Sequence, residues 1–228
     1  MTKEELTNEI NEIINQTFKR LDYVYQHHRE SPKLTEIIKF EKEKSRLVFP
    51  MYGKHHNPSY ETRISEQELR FAFVETFNEY CKEKELNLFY SVETPTKGRY
   101  SDFISNPHED DKGRSAEFDL VIYNEKLERV CLIEFKANNA DEIDHKKDFV
   151  KLDSLTEGAD NVSRFFVEVV QSYTEGDGNT TIYSLKKKIN QSKDKRFVFR
   201  CYALEGKSQR GKEDKDKNGE DISNRFEK

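Results

Sequence analysis

Between Lys3 and His28, Leu6, Ile10, Ile13, Phe18, Leu21 and Val24 recur at mixed three- and four-residue intervals. That period lays one apolar stripe along a helix of six or seven turns. A second, shorter helix is predicted after Pro32, through Ile37, Ile38 and Phe40, ahead of an irregular stretch at Phe49-Pro50-Met51-Tyr52-Gly53. These segments predict a helical extension over residues 1–60. Its stripe suits either a partner or dimer surface or a layer packed on the main domain.

The pattern changes at Ser65-Glu66-Gln67-Glu68, where Ser followed three residues later by Glu forms a capping box. The helix it opens carries Leu69, Phe71, Ala72, Phe73, Val74, Phe77 and Tyr80 over a wide arc, as expected of a helix buried against a sheet. Three strands are predicted next, at Leu88–Val92, Phe118–Tyr123 and Val130–Lys136. The first two are separated by a polar insertion from Thr94 to Arg114, the last two by a short antiparallel connection. A helix over Asp144–Leu155, a strand over Arg164–Tyr173, a helix over Thr180–Ile189 and a strand over Arg196–Leu204 complete the series. The fold class is therefore mixed α/β, with the domain at residues 61–205. From Gly206 to Lys228 only Ile222 and Phe226 stand out as apolar, which predicts a charged, disordered tail.

Composition narrows the classes. Of all residues 36% are charged and 34% hydrophobic, with a net charge of -5, so a modest core lies under a strongly charged surface. Net acidity argues against a general polyanion binder while leaving local basic patches free to meet phosphate. No apolar run approaches the roughly 20 residues of a membrane helix, and the acidic start does not resemble a secretory leader. Cys81, Cys131 and Cys201 lie far apart and read as small buried hydrophobes, consistent with a reducing cytoplasmic setting. His27-His28 and His55-His56 lack any partner at zinc-ligand spacing and read as surface residues.

The chemistry concentrates at Asp119, Glu134 and Lys136. Glu134 and Lys136 are two apart in Cys131-Leu132-Ile133-Glu134-Phe135-Lys136, so both leave one face of an apolar strand. Two charges there are costly unless offset. A short antiparallel turn sets Asp119 beside Glu134, and paired carboxylates call for a cation between them. A hard divalent ion, Mg²⁺ by default, meets that need. Lys136 would then stabilise charge on an attacked phosphate.

Asp119 followed by Glu134-Phe135-Lys136 on the next strand, behind a Glu-bearing helix, resembles the PD-(D/E)XK nuclease superfamily. The segments Ile64-Ser65-Glu66-Gln67-Glu68-Leu69-Arg70, Phe118–Asn124 and Leu132–Asn138 are similar to nuclease domains of type I restriction subunits and related phage-defence proteins. The resemblance spans about Ile64 to Leu155. It implies a restriction-endonuclease-like α-β-β-β-α-β core and a Mg²⁺-dependent DNA endonuclease in which Mn²⁺ substitutes. Asp119 and Glu134 would bind metal and Lys136 would be catalytic. A helix Glu would complete the set, with Glu68 favoured over Glu66 and Glu75 behind both. Phe118 stands where the family-naming Pro would precede Asp119, and the Gln-and-Tyr element after the Lys is missing in its plain form. His145, Lys146, Lys147, Asp148 and Lys151 occupy that helix, with Lys146, Lys147 and Lys151 as candidate phosphate contacts. The competing expectation is a non-catalytic nuclease-like module that binds through protein or nucleic-acid contacts. DNA is the expected partner, with a second protein or a second copy engaging the N-terminal helices.

Overall fold

The computed structural model describes residues 1–30, 45, 47, 49, 51–54, 57–62, 64–138, 142–158, 160–176, 180–192, 194–208 and 219–226, with backbone alone at 27–30 and 51–62. The helix expected through Ile37 and the histidines at 55 and 56 lie outside these residues.

Helix α1 (Lys3–Glu30) starts with Thr2 and Glu5 bonded reciprocally, Thr2 N donating to Glu5 Oε2 at 2.7 Å and Glu5 N to Thr2 Oγ1 at 3.2 Å. Its stripe of Leu6, Ile10, Ile13, Ile14, Phe18, Leu21, Val24 and Tyr25 is buried in one cluster with the helix that follows Ser65 and with the sheet. The stripe is thus occupied by the protein's own core, and α1 is a layer packed on it. The irregular stretch expected at residues 49–53 contains a strand instead. Strands β1 (Met51–Lys54) and β2 (Asn57–Thr62) pair antiparallel as a small separate sheet.

Helix α2 (Glu66–Glu83) buries Leu69, Ala72, Phe73, Phe77 and Tyr80. The main sheet runs β4-β3-β5-β6-β7-β8-β9. Strands β3 (Phe89–Ser101), β5 (Arg114–Tyr123) and β6 (Arg129–Ala137) form an antiparallel meander, with β4 (His108–Glu109) on its outer edge. Helix α3 (Glu142–Asp153) returns the chain to β7 (Ser163–Val170), parallel to β6, and α4 (Thr181–Ile189) returns it to β8 (Val198–Ala203), parallel to β7. All eight positions of β7 are buried, as a strand covered by helices on both faces requires.

Successive residues of β6 divide the two layers. Ile133 and Phe135 join the α1 and α2 cluster, while Leu132 packs with Phe149 and Leu152 of α3. Glu134 and Lys136 share the parity of Leu132 and so face α3.

Two expectations are corrected. The first strand does not end at Val92: it runs on through the insertion from Thr94 to Arg114 as a long hairpin arm, Tyr100 pairing with Arg114. Its inward positions are Thr94, Thr96, Gly98 and Tyr100, a period-two pattern of mostly small residues rather than aliphatic ones. Gly113 permits the close approach there, since a Cβ would lie 2.3 Å from the Tyr100 carbonyl oxygen. The tail is also not wholly unstructured. Strand β9 (Glu220–Asp221) pairs with β8, and Ile222 is fully buried among Val170, Tyr173 and Leu185. Arg200 fastens this end, donating to Asn11 at 2.7 Å, Asn15 at 2.6 Å, Asp221 at 2.6 Å and Ser223 at 3.1 Å.

Candidate active site

The β5–β6 ladder stops at Leu120↔Ile133. Beyond it, β5 continues beside β3 and β6 beside β7, so the two strands diverge as a fork. One further step of the register would set Asp119 opposite Glu134 at the root of the fork, where Asp119 reaches Arg70 of α2 and Glu134 reaches Lys151 of α3. Asp119 Oδ2 accepts the Phe135 N–H at 2.7 Å, taking the place of a ladder bond. Its Oδ1 accepts from Arg70 Nη2 at 2.6 Å, and Arg70 also reaches Glu93 at 3.2 Å. Glu93 has a φ of 48°, a left-handed kink in β3 next to Asp119's strand.

A chain of alternating charges crosses the fork. Glu134 Oε1 is 2.5 Å from Lys151 Nζ, which is 2.8 Å from Asp148 Oδ1. The other oxygen of Asp148, Oδ2, lies 2.7 Å from Lys136 Nζ, which reaches Glu66 Oε1 at 3.4 Å. Glu134, Asp148, Lys136 and Lys151 are all buried, while Glu66 at the mouth is partly exposed.

Burial, with Asp148 and Asp119 nearby, pushes the Glu134 carboxyl well above the usual range. Burial likewise raises Glu66, against the pull of Lys136. At Asp148 burial acts upward, but Lys151 and Lys136 outweigh it and hold the carboxyl below its ordinary value. Burial would lower both lysines, yet Asp148 and Glu134 keep them firmly protonated.

The expected residues are therefore partly reassigned. Asp119, Glu134 and Lys136 come together. Glu68 does not join them, because its Oε2 accepts the Ser65 N–H at 2.9 Å and the Ser65 hydroxyl, completing the cap. Glu66, two residues earlier, is the helix carboxylate beside Lys136, while Glu75 pairs with Arg20 at 3.0 Å, away from the cluster. Lys151, expected on phosphate, is instead a buried member of the charge chain. Lys147 pairs with Asp144 at 2.9 Å. Lys146 donates to Asn106 at 2.8 Å and lines a cleft of about 810 Å³ with Arg196 and Gln191.

Arg70 and Asp148 were not singled out from the sequence as members of the cluster. Asp148 had a legible signal: His145, Asp148, Phe149 and Leu152 follow i, i+3, i+4, i+7 spacing, which puts the carboxylate on the buried face of α3.

The oxygen donors Glu66, Asp119 and Glu134 have the chemistry a hard divalent cation needs. As arranged, each is paired with a protein cation, and among the described residues no group of three or more His, Cys, Asp or Glu side chains is placed to hold a metal ion. Among the described residues no helix is long and apolar enough to cross a membrane, and the three cysteines are free and buried. Comparison of the chain with protein-family models, curated proteins and solved structures gave no match.

Proposed function

We propose that this chain is a metal-dependent endonuclease of PD-(D/E)XK type that hydrolyses DNA phosphodiester bonds, in restriction, phage defence or a mobile element. The observation that carries the reading is the fork. Asp119, Glu134 and Lys136 stand on adjacent strands at one divergence point, with Glu66 arriving from the start of the preceding helix. The order of α2, three antiparallel strands, α3 and a parallel strand also supports a restriction-endonuclease-like core.

Asp119, Glu134 and Glu66 would hold Mg²⁺ or Mn²⁺, which when bound supplies charge neutralisation at the phosphate and a more acidic water. Arg70 and the Phe135 N–H fix Asp119 in one rotamer. Asp148 and Glu66 hold the Lys136 ammonium at the mouth of the fork, where it would stabilise negative charge growing on the attacked phosphate. Lys146 and Arg196 on the adjacent cleft would contact the DNA backbone.

The alternative, a nuclease-like module that binds without cutting, draws on a specific observation: every carboxylate at the site already has a protein counter-charge. Labelled single-stranded and double-stranded DNA and RNA, incubated with Mg²⁺, Mn²⁺ or chelator, separate the two. Cleavage of DNA that chelator abolishes is expected. Binding with no cleavage under any metal condition would favour the module.

The helix carboxylates are distinguished by substitution. Glu66→Gln is expected to lower cleavage by on the order of tenfold or more with little loss of stability. Glu68→Ala is expected to cost about 1 kcal/mol through the cap and to leave the cleavage rate near the parent's. Denaturant unfolding and initial cleavage rates measure both, and the reverse pattern would restore Glu68 to the site.

A further inference from the structure

The geometry points to Lys151 as a counter-cation built into the fork, one that a divalent ion must displace from Glu134 before the site can load. This rests on the carboxylate site proposed above. Lys151 belongs to α3, yet its ammonium sits between the diverging strands. It donates to the Glu117 carbonyl of β5 at 2.8 Å, pairs with Glu134 of β6 at 2.5 Å, and pairs with Asp148 one turn earlier at 2.8 Å. Three oxygens on three elements surround the ammonium: the Glu117 carbonyl takes its hydrogen bond, and the two carboxylates pair with it by charge. The Phe118 ring, 5.6 Å from Nζ, adds a further cation-attracting surface. The side chain is only 7% exposed, so little water screens the charge.

Glu134 Oε1 is buried and has no hydrogen bond among the described residues, so at that oxygen the contact with Lys151 is charge pairing. An incoming dication at the same oxygen would stand within a few ångströms of the ammonium. Their repulsion in so dry a place is strong, and only withdrawal of the lysine relieves it. Asp148 offers the retreat. It lies on the same helix as Lys151 and faces the lysine with Oδ1, so the flexible four-carbon stem can keep that partner while releasing Glu134. The consequence is a site whose metal affinity is lower than its three carboxylates alone would give.

Mn²⁺ binding, followed by calorimetry and by the electron-spin signal of free Mn²⁺, tests this in the parent chain and in three variants. Lys151→Met keeps the length and removes the charge, and is expected to bind Mn²⁺ on the order of tenfold more tightly. Lys151→Arg keeps the charge and is expected to bind no more tightly than the parent. Glu134→Gln is expected to bind at least tenfold more weakly. Should Lys151→Met fail to fold, Lys151→Gln serves, and the parent chain gives a separate readout. Lys151 should resist acetic anhydride without metal and become several-fold more reactive, by mass spectrometry, when Mn²⁺ is loaded. Equal or weaker binding by the neutral variants, with Glu134→Gln still impaired, would overturn the displacement while leaving the carboxylate site standing. So would unchanged acetylation of Lys151 on loading. Binding indifferent to Glu134→Gln would overturn the site reading itself, and the displacement with it.

Discussion

Lys136→Ala is expected to slow DNA cleavage on the order of 10²-fold or more at saturating metal, comparable to losing one preorganised electrostatic donor. The ammonium is held between Asp148 and Glu66 and also donates to the Phe135 carbonyl at 3.3 Å, contacts that an alanine cannot make. A contact made chiefly in the transition state should depress the turnover rate and leave DNA binding largely intact. The substitution also breaks a buried ion pair, because Lys136 is 10% and Asp148 8% exposed at the side chain. A stability cost of about 3–5 kcal/mol follows from leaving a buried charge short of a partner. Lys151 still pairs with Asp148, which places the cost at the lower end of that range. Rates are therefore compared at a temperature where near-ultraviolet dichroism shows the variant folded. A rate within a few-fold of the parent's would make Lys136 a structural strand lysine.

Glu157→Ala is expected to be the most damaging single change outside the hydrophobic core, lowering unfolding free energy by about 3–5 kcal/mol. Glu157 is fully buried in the 3₁₀ turn after α3, yet it accepts from the Lys97 N–H at 2.9 Å, the Gly98 N–H at 2.7 Å and the Tyr100 hydroxyl at 2.9 Å. Arg129 Nη1 lies 3.4 Å from Oε2, the oxygen that accepts from Lys97. This one carboxylate fastens the hairpin arm of β3 to the end of α3, where the cleft lined by Lys146 opens. Its removal strands two backbone donors and a hydroxyl inside the protein, each costing about 1–3 kcal/mol if left unmade. For a chain of this size the midpoint should fall by roughly 10 °C. Glu157→Gln retains an acceptor and is expected to lose about half as much. Thermal and urea unfolding read the effect, and a loss below about 1 kcal/mol would mean that water satisfies these donors readily.

What the sequence made legible follows from periodicity. The stripe of α1, the capped α2 and the alternating β6 each carry a single strong pattern, and Glu134 and Lys136 were placed on one face by their two-residue spacing alone. The order of elements from Ser65 to Leu204 is likewise visible from where the period changes. What escaped was carried by polar residues. Strand β3 runs on through Pro95 because Thr94, Thr96 and Tyr100 turn inward, and no hydropathy pattern marks threonines and a glycine as an inner face. The C-terminal strand depends on Ile222 and on Arg200, which gathers Asn11, Asn15 and Asp221 from distant parts of the chain. Choosing between Glu66 and Glu68 needed the capping box to be taken at its word, since a carboxylate bonded to its own cap cannot also serve a site. Lys151, expected on phosphate with Lys146 and Lys147, turns into the protein instead. The buried spacing of Asp148 three residues earlier was the signal that this helix turns charge inward.

Relaxation of supercoiled plasmid tests the central claim most directly, with the parent chain and an Asp119→Ala/Glu134→Ala double variant prepared side by side. Removing both carboxylates should also release Arg70 and Lys151, so the variant is first verified as folded by dichroism and its Mn²⁺ binding recorded. The expected result is metal-dependent nicking by the parent, none by parent with chelator, and loss of both nicking and Mn²⁺ binding in the folded double variant. Equal nicking by parent and double variant, or none by either under any metal condition, would contradict the assignment of this fork as a nuclease active site.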